Sequence, residues 1–322
     1  MVGNPRKMRN GPAVPYSLND GNLVAARRIA ALRPPAEIDV DEALVRSLLA
    51  DQHPDLAGLP LAEVGAGWDN LLWRLGDELL VRLPRRAAAA ALAANEQRWL
   101  PALAPALPLT VPVPVRTGRP GDGYPWPWAV VRWLDGTSAD RTEVTAAADA
   151  ARRLGRFLRT LHTPAPGDAP YNPFRSVPLA DRADTFEHRL ELAAPEVDAR
   201  AVRRVWDDAC AAPPAPGPPV WVHGDLHPGN VLVAGGTLAG VLDWGDLCAG
   251  DAATDLAAAW LLLPSWARGT FVAAYADDDP AAAARARGWA VLFALMQLAD
   301  TGPPTARDGA LAALDRVTAK GD

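Results

Sequence analysis

Lysine is nearly missing from this chain. Lys7 and Lys320 are the lysines among its 32 basic residues, so a cationic task inside the fold falls to arginine. Two cysteines, Cys210 and Cys248, are too few for a disulfide framework or a four-cysteine zinc site. Neither is set in a Cys–His pattern, and both read as packing residues. Histidine occurs five times and never beyond His227. That shortage weighs against a dinuclear phosphoesterase, which needs several histidine or carboxylate ligands spread along the chain. Apolar runs such as Leu256 to Pro264 fall well short of the roughly 20 residues of a membrane span. A formal charge of -6 argues against a general nucleic-acid binder, which would normally show a basic face. The basic start (Arg6, Lys7, Arg9) runs into Asn10, Gly11 and Pro12 rather than an apolar stretch, so it does not read as a secretory signal. The expectation is a soluble cytoplasmic protein with neither nucleic acid nor membrane as partner.

What the chain does contain is a substantial core: 322 residues, 49% apolar and 22% charged. At roughly 100–200 residues per domain, that length predicts two lobes. Residues 1–35 mix Gly, Pro, Asn and Arg without a period and read as a mobile tail. Acidic residues precede a helix-spaced run from Val40 to Leu49. Between Leu61 and Arg86, turns at Gly65-Ala66-Gly67 and Gly76-Asp77 separate three short strands, the last over Leu79 to Leu83. An Ala-rich helix from Arg86 to Ala104 carries Glu96. Pro-punctuated strands follow at Val111 to Gly118 and Trp126 to Leu134. Beyond Asp135-Gly136 the texture turns helical, over Thr142 to His162, Ala180 to Cys210, Asp251 to Leu263, Trp266 to Ala276, and Asp279 to the end. The organisation is a strand-rich lobe over 36–134 joined to a helical lobe over 135–322.

Within the helical half sits one irregular segment, Trp221 to Asp246. Its loop reads His223-Gly224-Asp225-Leu226-His227-Pro228-Gly229-Asn230. Pro228 extends His227, and the two glycines permit backbone angles closed to other residues. A hairpin signature follows: Val231 to Val233, a Gly235-Gly236 turn, then Leu238 to Leu242. Closing that hairpin makes Asn230 and Asp243 cross-strand neighbours at about 5 Å. An amide oxygen beside a carboxylate is a hard-oxygen pair suited to Mg²⁺. Asp225 lies on the same loop, where it could accept a hydrogen bond from a substrate hydroxyl. An Asp, then a metal-binding Asn, then a metal-binding Asp after a hairpin is the order a kinase uses.

The pattern H-G-D-x-H-x-x-N followed by L-D-W resembles the aminoglycoside phosphotransferase family, small-molecule kinases of the protein-kinase-like fold. The stretches GWDN…VRLPRR…NE…WL and YPWPW are similar to that family too, and the likeness runs from about Val40 to Leu311. It implies an α+β bilobal fold with an antiparallel N-terminal sheet lobe and a mainly helical C-terminal lobe. It also implies Mg²⁺-dependent transfer of the γ-phosphate of ATP or GTP to a hydroxyl. Carried over, Asp225 is the catalytic base or hydroxyl orienter, and Asn230 and Asp243 bind Mg²⁺. Arg82 replaces the usual phosphate-contacting lysine and is oriented by Glu96. The backbone near Trp133 and Leu134 contacts the nucleobase. The chain departs from protein kinases in Arg82, which is bulkier than lysine and fixed in charge, and in a short nucleotide loop that lacks their glycine pattern.

Several residues carry two readings. His223 reads as a buried scaffold residue; His227 is either structural or close to the phosphate or substrate. Asp251 and Asp255 suit a helix start, while the resemblance makes Asp255 a brace beneath the loop. Arg82 and Glu96 are a functional pair or an ordinary surface ion pair. Trp126, Trp128 and Trp133 surround the expected hinge and are core or nucleobase contacts, and Asp277-Asp278-Asp279 is a solvated helix end or a means of attracting a cationic acceptor. The resemblance implies a small hydroxylated acceptor, with an aminoglycoside or macrolide antibiotic and a role in resistance as the first expectation. Alternatives are an endogenous alcohol of the choline, sugar or homoserine type, or a non-catalytic ligand-binding relative.

Overall fold

The computed structural model describes residues 35–276, 278–298 and 304–319. The expected tail over 1–35 lies almost entirely outside the described residues, as do Lys7, Lys320 and Asp277.

The first described helix, α1 (Glu42–Gln52), starts where the Asp41 carboxylate accepts the Leu44 N–H at 2.9 Å, an N-cap satisfying one orphan donor of the first turn. Next come β1 (Leu61–Ala66), β2 (Asn70–Leu75) and β3 (Leu79–Pro84), then helix α2 (Ala87–Leu103), β4 (Pro114–Gly118) and β5 (Trp128–Arg132). The five strands make one antiparallel sheet in the order β1-β2-β3-β5-β4. A core of its own lies on one face, built from Val45, Leu48, Leu49, Trp73, Leu75, Val81, Leu83, Tyr124, Trp128 and Val130. Side chains alternate across a strand, so Val81 and Leu83 enter this core while Arg82 between them points the other way. On α2 the buried positions are Ala89, Glu96 and Leu100, a helical spacing that brings Glu96 inward beneath β3. Gly118 is obligatory beside Trp128, because a Cβ there would stand 1.9 Å from the indole.

The second half is helical, with two small sheets. Its helices are α3 (Ala147–Leu161), α4 (Ala183–Ala193), α5 (Ala199–Ala211), α6 (Ala253–Leu256), α7 (Ala258–Leu262), α8 (Ser265–Tyr275), α9 (Ala282–Leu298) and α10 (Pro304–Thr318). α3 and α8 approach closely at Gly155, where a Cβ would meet Ala274 at 2.7 Å and the Phe271 carbonyl at 2.8 Å. Short strands β6 (Thr137–Ser138), β8 (Val231–Ala234) and β9 (Thr237–Val241) form a three-stranded sheet in the order β6-β8-β9. β7 (Val220–Val222) pairs with β10 (Cys248–Gly250). These two small sheets frame the irregular loop between β7 and β8.

Three of the expected long helices are interrupted. Ala180 to Cys210 is two helices plus a 3₁₀ turn over Leu179–Arg182, since Pro195 cannot continue α4. Asp251 to Leu263 is two short helices, and the C-terminal stretch is α9 followed by α10. Alanine favours helix everywhere in these stretches, so its abundance hides the breaks. The helix expected from Thr142 begins only at Ala147.

Candidate active site

β7 delivers His223 into a fully buried position, and two backbone donors of this turn converge on one carboxylate. Asp255, itself fully buried on α6, accepts the N–H of His223 at 2.7 Å and of Gly224 at 2.9 Å. His162 Nε2 lies 3.2 Å from the same carboxylate. Asp255 therefore braces the loop from below, beyond any helix-start role. The His223 ring fixes the loop from above: Nε2 donates to the Leu242 carbonyl at 2.9 Å, and Nδ1 accepts the Asp225 N–H at 3.2 Å. Those two contacts select the tautomer. Gly224 has φ +83°, and a Cβ there would meet the Asp246 carbonyl at 2.7 Å, so only glycine fits.

Asp225 emerges from this turn with its side chain 26% exposed. Arg175 Nη2 donates to Oδ1 at 2.8 Å. Oδ2 faces Asn230 Nδ2 at 3.4 Å and His227 Nε2 at 3.5 Å. Burial would raise the carboxyl, but Arg175, His227 and His223 outweigh it and hold Asp225 below the usual carboxylate range. Asp225 in turn overcomes the effect of burial on His227 and raises its pKa. Arg175 also approaches Asp246 Oδ2 at 3.8 Å, and Asn172 Nδ2 donates to Asp246 Oδ1 at 2.6 Å. Burial and the neighbouring Asp225 charge push the Asp246 carboxyl up to about 6. None of Arg175, Asn172 and Asp246 stood out in the sequence.

The hairpin register sets Leu242, not Asp243, opposite Asn230: the Leu242 N–H donates to the Asn230 carbonyl at 2.8 Å and Val231 pairs with Val241, so Asp243 stands one residue beyond the expected cross-strand position at the open end. Asn230 Nδ2 donates to the Asp225 carbonyl at 2.9 Å, which turns its amide oxygen away from that bond. Asp243 adopts φ +55°, a left-handed conformation that Asp tolerates better than most residues. Its carboxylate is 47% exposed while the following Trp244 is fully buried, its indole N–H donating to Val241. One amide oxygen and one accessible carboxylate are hard donors that fit Mg²⁺.

From the sheet lobe, Arg82 reaches across to this hairpin. Nη1 bonds Glu96 Oε1, and Nη2 lies 3.5 Å from Asp243 Oδ1. Glu96 is only 4% exposed, so a surface ion pair is excluded. Burial alone would lower Arg82, but Glu96 and Asp243 keep its pKa raised. Burial, reinforced by Asp243 and incompletely offset by Arg82, raises Glu96. Asp69, in the β1–β2 turn, pairs with Arg86; burial raises it, Arg86 opposes this, and the Asp243 and Asp225 charges add to the rise.

The three tryptophans separate. Trp128 is buried in the sheet-lobe core with its indole N–H on the Arg119 carbonyl, and Trp126 packs edge-on against Tyr124. Trp133 is 37% exposed at the end of β5, beneath the Arg74 guanidinium at 3.8 Å. Its backbone N–H donates to Glu78, so that donor is not open to a nucleobase; Leu134 follows directly on the path to the helical lobe.

The phosphotransferase enzyme family matches over residues 60–289. The chain is 32% identical over 222 residues to a homoserine kinase from Methylocella silvestris, covering 60% of this chain and 64% of that protein. A homoserine kinase from Beijerinckia indica is 31% identical over 196 residues, covering 54% and 58%. The chain thus spans less than two thirds of the length of these curated relatives. Among solved structures, the GDP complex of wild-type aminoglycoside 2'-phosphotransferase-IIIa superposes with a TM-score of 0.63 at 17% identity, over 87% of this chain and 99% of that one. The macrolide 2'-phosphotransferase from Brachybacterium faecium gives 0.54 at 25% identity, over 85% and 97%. The two-lobed architecture, with its antiparallel sheet lobe and helical lobe, is therefore the kinase-like fold these enzymes share, and the chain belongs to the phosphotransferase enzyme family.

Proposed function

We propose that this protein is a Mg²⁺-dependent small-molecule kinase, moving the γ-phosphate of ATP or GTP to a hydroxyl. The observation that carries this reading is the convergence of Asp225, Asn230 and Asp243 around one hairpin, with Arg82 reaching Asp243 from the other lobe. Asn230 Oδ1 and the Asp243 carboxylate would hold Mg²⁺, which when bound neutralises and bridges nucleotide phosphates. Arg82, held by Glu96, supports the phosphates in place of lysine. The Trp133 carbonyl and the Leu134 backbone meet the nucleobase at the junction of the lobes, 36–134 and 135–322.

Asp225 accepts a hydrogen bond from the acceptor hydroxyl and aims its oxygen at the phosphorus. With its pKa held low, its first task is orientation, and it takes the proton only late, as the new P–O bond forms. Most of the acceleration comes from positioning and electrostatics rather than covalent chemistry.

A small hydroxylated amino acid of the homoserine type is the first acceptor to test, because sequence identity to the homoserine kinases exceeds that to the antibiotic-modifying structures. Such a substrate points to a biosynthetic role. Aminoglycosides and macrolides, with a role in resistance, form the second reading, supported by the shared architecture. No helix among the described residues is long and apolar enough to cross a membrane, which is compatible with work in the cytoplasm on free small molecules. The test is mass spectrometry of homoserine, an aminoglycoside and a macrolide incubated with protein and Mg·ATP or Mg·GTP. A phosphate adduct on one acceptor, absent with Asp225→Ala, is the expected result. Nucleotide binding with no adduct on any alcohol would favour a ligand-binding relative.

A further inference from the structure

We infer that Arg175 is a positioning residue for this transfer, presenting one oxygen of Asp225 to the acceptor by holding the other. The inference rests on the kinase reading above and concerns a residue from a different part of the chain than the loop motif.

The hydrogen-bond inventory of Asp225 is asymmetric. Oδ1 is taken by Arg175 at 2.8 Å, a charge-assisted bond of ordinary length. Oδ2 has two neighbours, at 3.4 and 3.5 Å, both beyond the usual 2.7–3.2 Å range of a strong N–H···O bond. Oδ2 is therefore the oxygen with capacity for a hydroxyl donor. Without Arg175 the carboxylate could turn and offer either oxygen, and a misplacement near 1 Å can cost about 10²-fold in rate.

Arg175 is itself held from several sides. Its side chain is 7% exposed, with the guanidinium carbon 5.0 Å from the Phe293 ring. Cγ lies 3.3 Å from where a Cβ on Gly224 would stand, so the glycine makes room for the arginine as well as for the turn. Asn172 fixes the segment locally, its Oδ1 accepting the Phe174 N–H at 2.8 Å and its N–H donating to Ser176 at 3.0 Å. The Ala249 N–H on the Pro170 carbonyl joins that segment to β10. Asn172 also holds Asp246, which faces Arg175 from the other side. The guanidinium thus stands between the carboxylate of the catalytic loop and the carboxylate three residues past Asp243. Both approaches are made by Nη2, whose donor direction is fixed by the guanidinium plane; a lysine would supply charge without fixing that direction.

The test compares wild type, Arg175→Ala, Arg175→Lys and Asp246→Asn in the transfer assay, with Mg·nucleotide affinity measured separately. For Arg175→Ala, kcat should fall about 10²-fold while nucleotide affinity stays within about threefold. Arg175→Lys should recover only part of that loss, and Asp246→Asn, which leaves Arg175 in place, should lose no more than about tenfold. Added guanidinium ion should restore activity to Arg175→Ala and leave wild type and Asp225→Ala unchanged, a response that a merely structural arginine would not give. A kcat within threefold of wild type, or a loss that guanidinium leaves untouched and that Asp246→Asn matches in full, overturns the inference. A wild-type protein that phosphorylates no alcohol overturns the kinase reading and this role with it, and shows at the first step of the experiment.

Discussion

Arg82 and Arg175 are each buried against two carboxylates, yet they do different mechanical work. Arg82 comes from the sheet lobe and touches Glu96 in its own lobe and Asp243 in the other. Arg175 stays within the helical lobe, where it joins Asp225 to the segment carrying Asp246. The contact lengths follow that division. Arg175 meets Asp225 at 2.8 Å, while Arg82 stands 3.5 Å from an Asp243 that is half exposed. If the proposed function holds, the residues assigned to the phosphates depend on how the lobes meet, whereas those assigned to the hydroxyl are held within the helical lobe alone. In the kinase reading, nucleotide and metal would tighten the first contact, and the acceptor would find the second already formed.

Breaking the inter-lobe side should have the largest consequence for stability. Arg82→Ala strands Glu96 in a buried position, and loss of one partner of such a pair costs about 3–5 kcal/mol; urea denaturation should show it, with Arg82→Lys milder. Next comes Asp243→Ala. It removes the accessible carboxylate of the hard-oxygen pair while leaving Arg82 with Glu96, so the Mg²⁺ requirement for nucleotide binding should rise by at least about tenfold, or about 1.4 kcal/mol, with little change in melting temperature. A smaller effect sharpens the comparison on the other side. Asp246 has a folded pKa of about 6, above its ordinary 3.8. The folded state therefore binds the proton more tightly, and stability is lost as pH rises from about 4 through 6. Asp246→Asn cannot acquire that charge, so its melting temperature should exceed wild type by a few degrees at pH 8, with the gap closing toward pH 4. Asp225, whose pKa is depressed, works in the opposite sense and stabilises the fold above its unfolded pKa. Smallest of all is the expected result at Cys248: buried, with its thiol pushed up to about 12 by burial, it should resist alkylation at pH 8 in the folded protein.

Much of the site could be read from the sequence because its parts are local. The glycines and Pro228 announce an irregular loop, and the Gly235-Gly236 turn flanked by apolar residues announces the hairpin, while its exact register, with Leu242 opposite Asn230, is not legible. Strand alternation gives Arg82 its direction opposite Val81 and Leu83, and helical spacing takes Glu96 inward with Ala89 and Leu100. What escaped is non-local. Arg175 lies 50 residues before Asp225 in a Pro- and Asn-containing stretch with no period. Its role exists only once β7 and β10 pair and carry the two segments together. Asp246 carries no signal of its own in the sequence; only the fold sets it against Arg175 and Asn172. The tryptophans carry two readings in sequence, core or hinge, and burial sends Trp128 to the core. Among the alanine-rich helices, composition gave the class while Pro195 and the short breaks set the actual ends.

The central claim is that Asp225 acts on the acceptor hydroxyl rather than on nucleotide binding. Single-turnover phosphoryl transfer by wild type and Asp225→Asn, alongside Mg·nucleotide affinity for both, tests it most directly. The account predicts affinities within about threefold and a transfer rate about 10²–10⁴-fold lower in the variant. A variant that transfers phosphate at the wild-type rate, or one that loses nucleotide binding in proportion to rate, would contradict it.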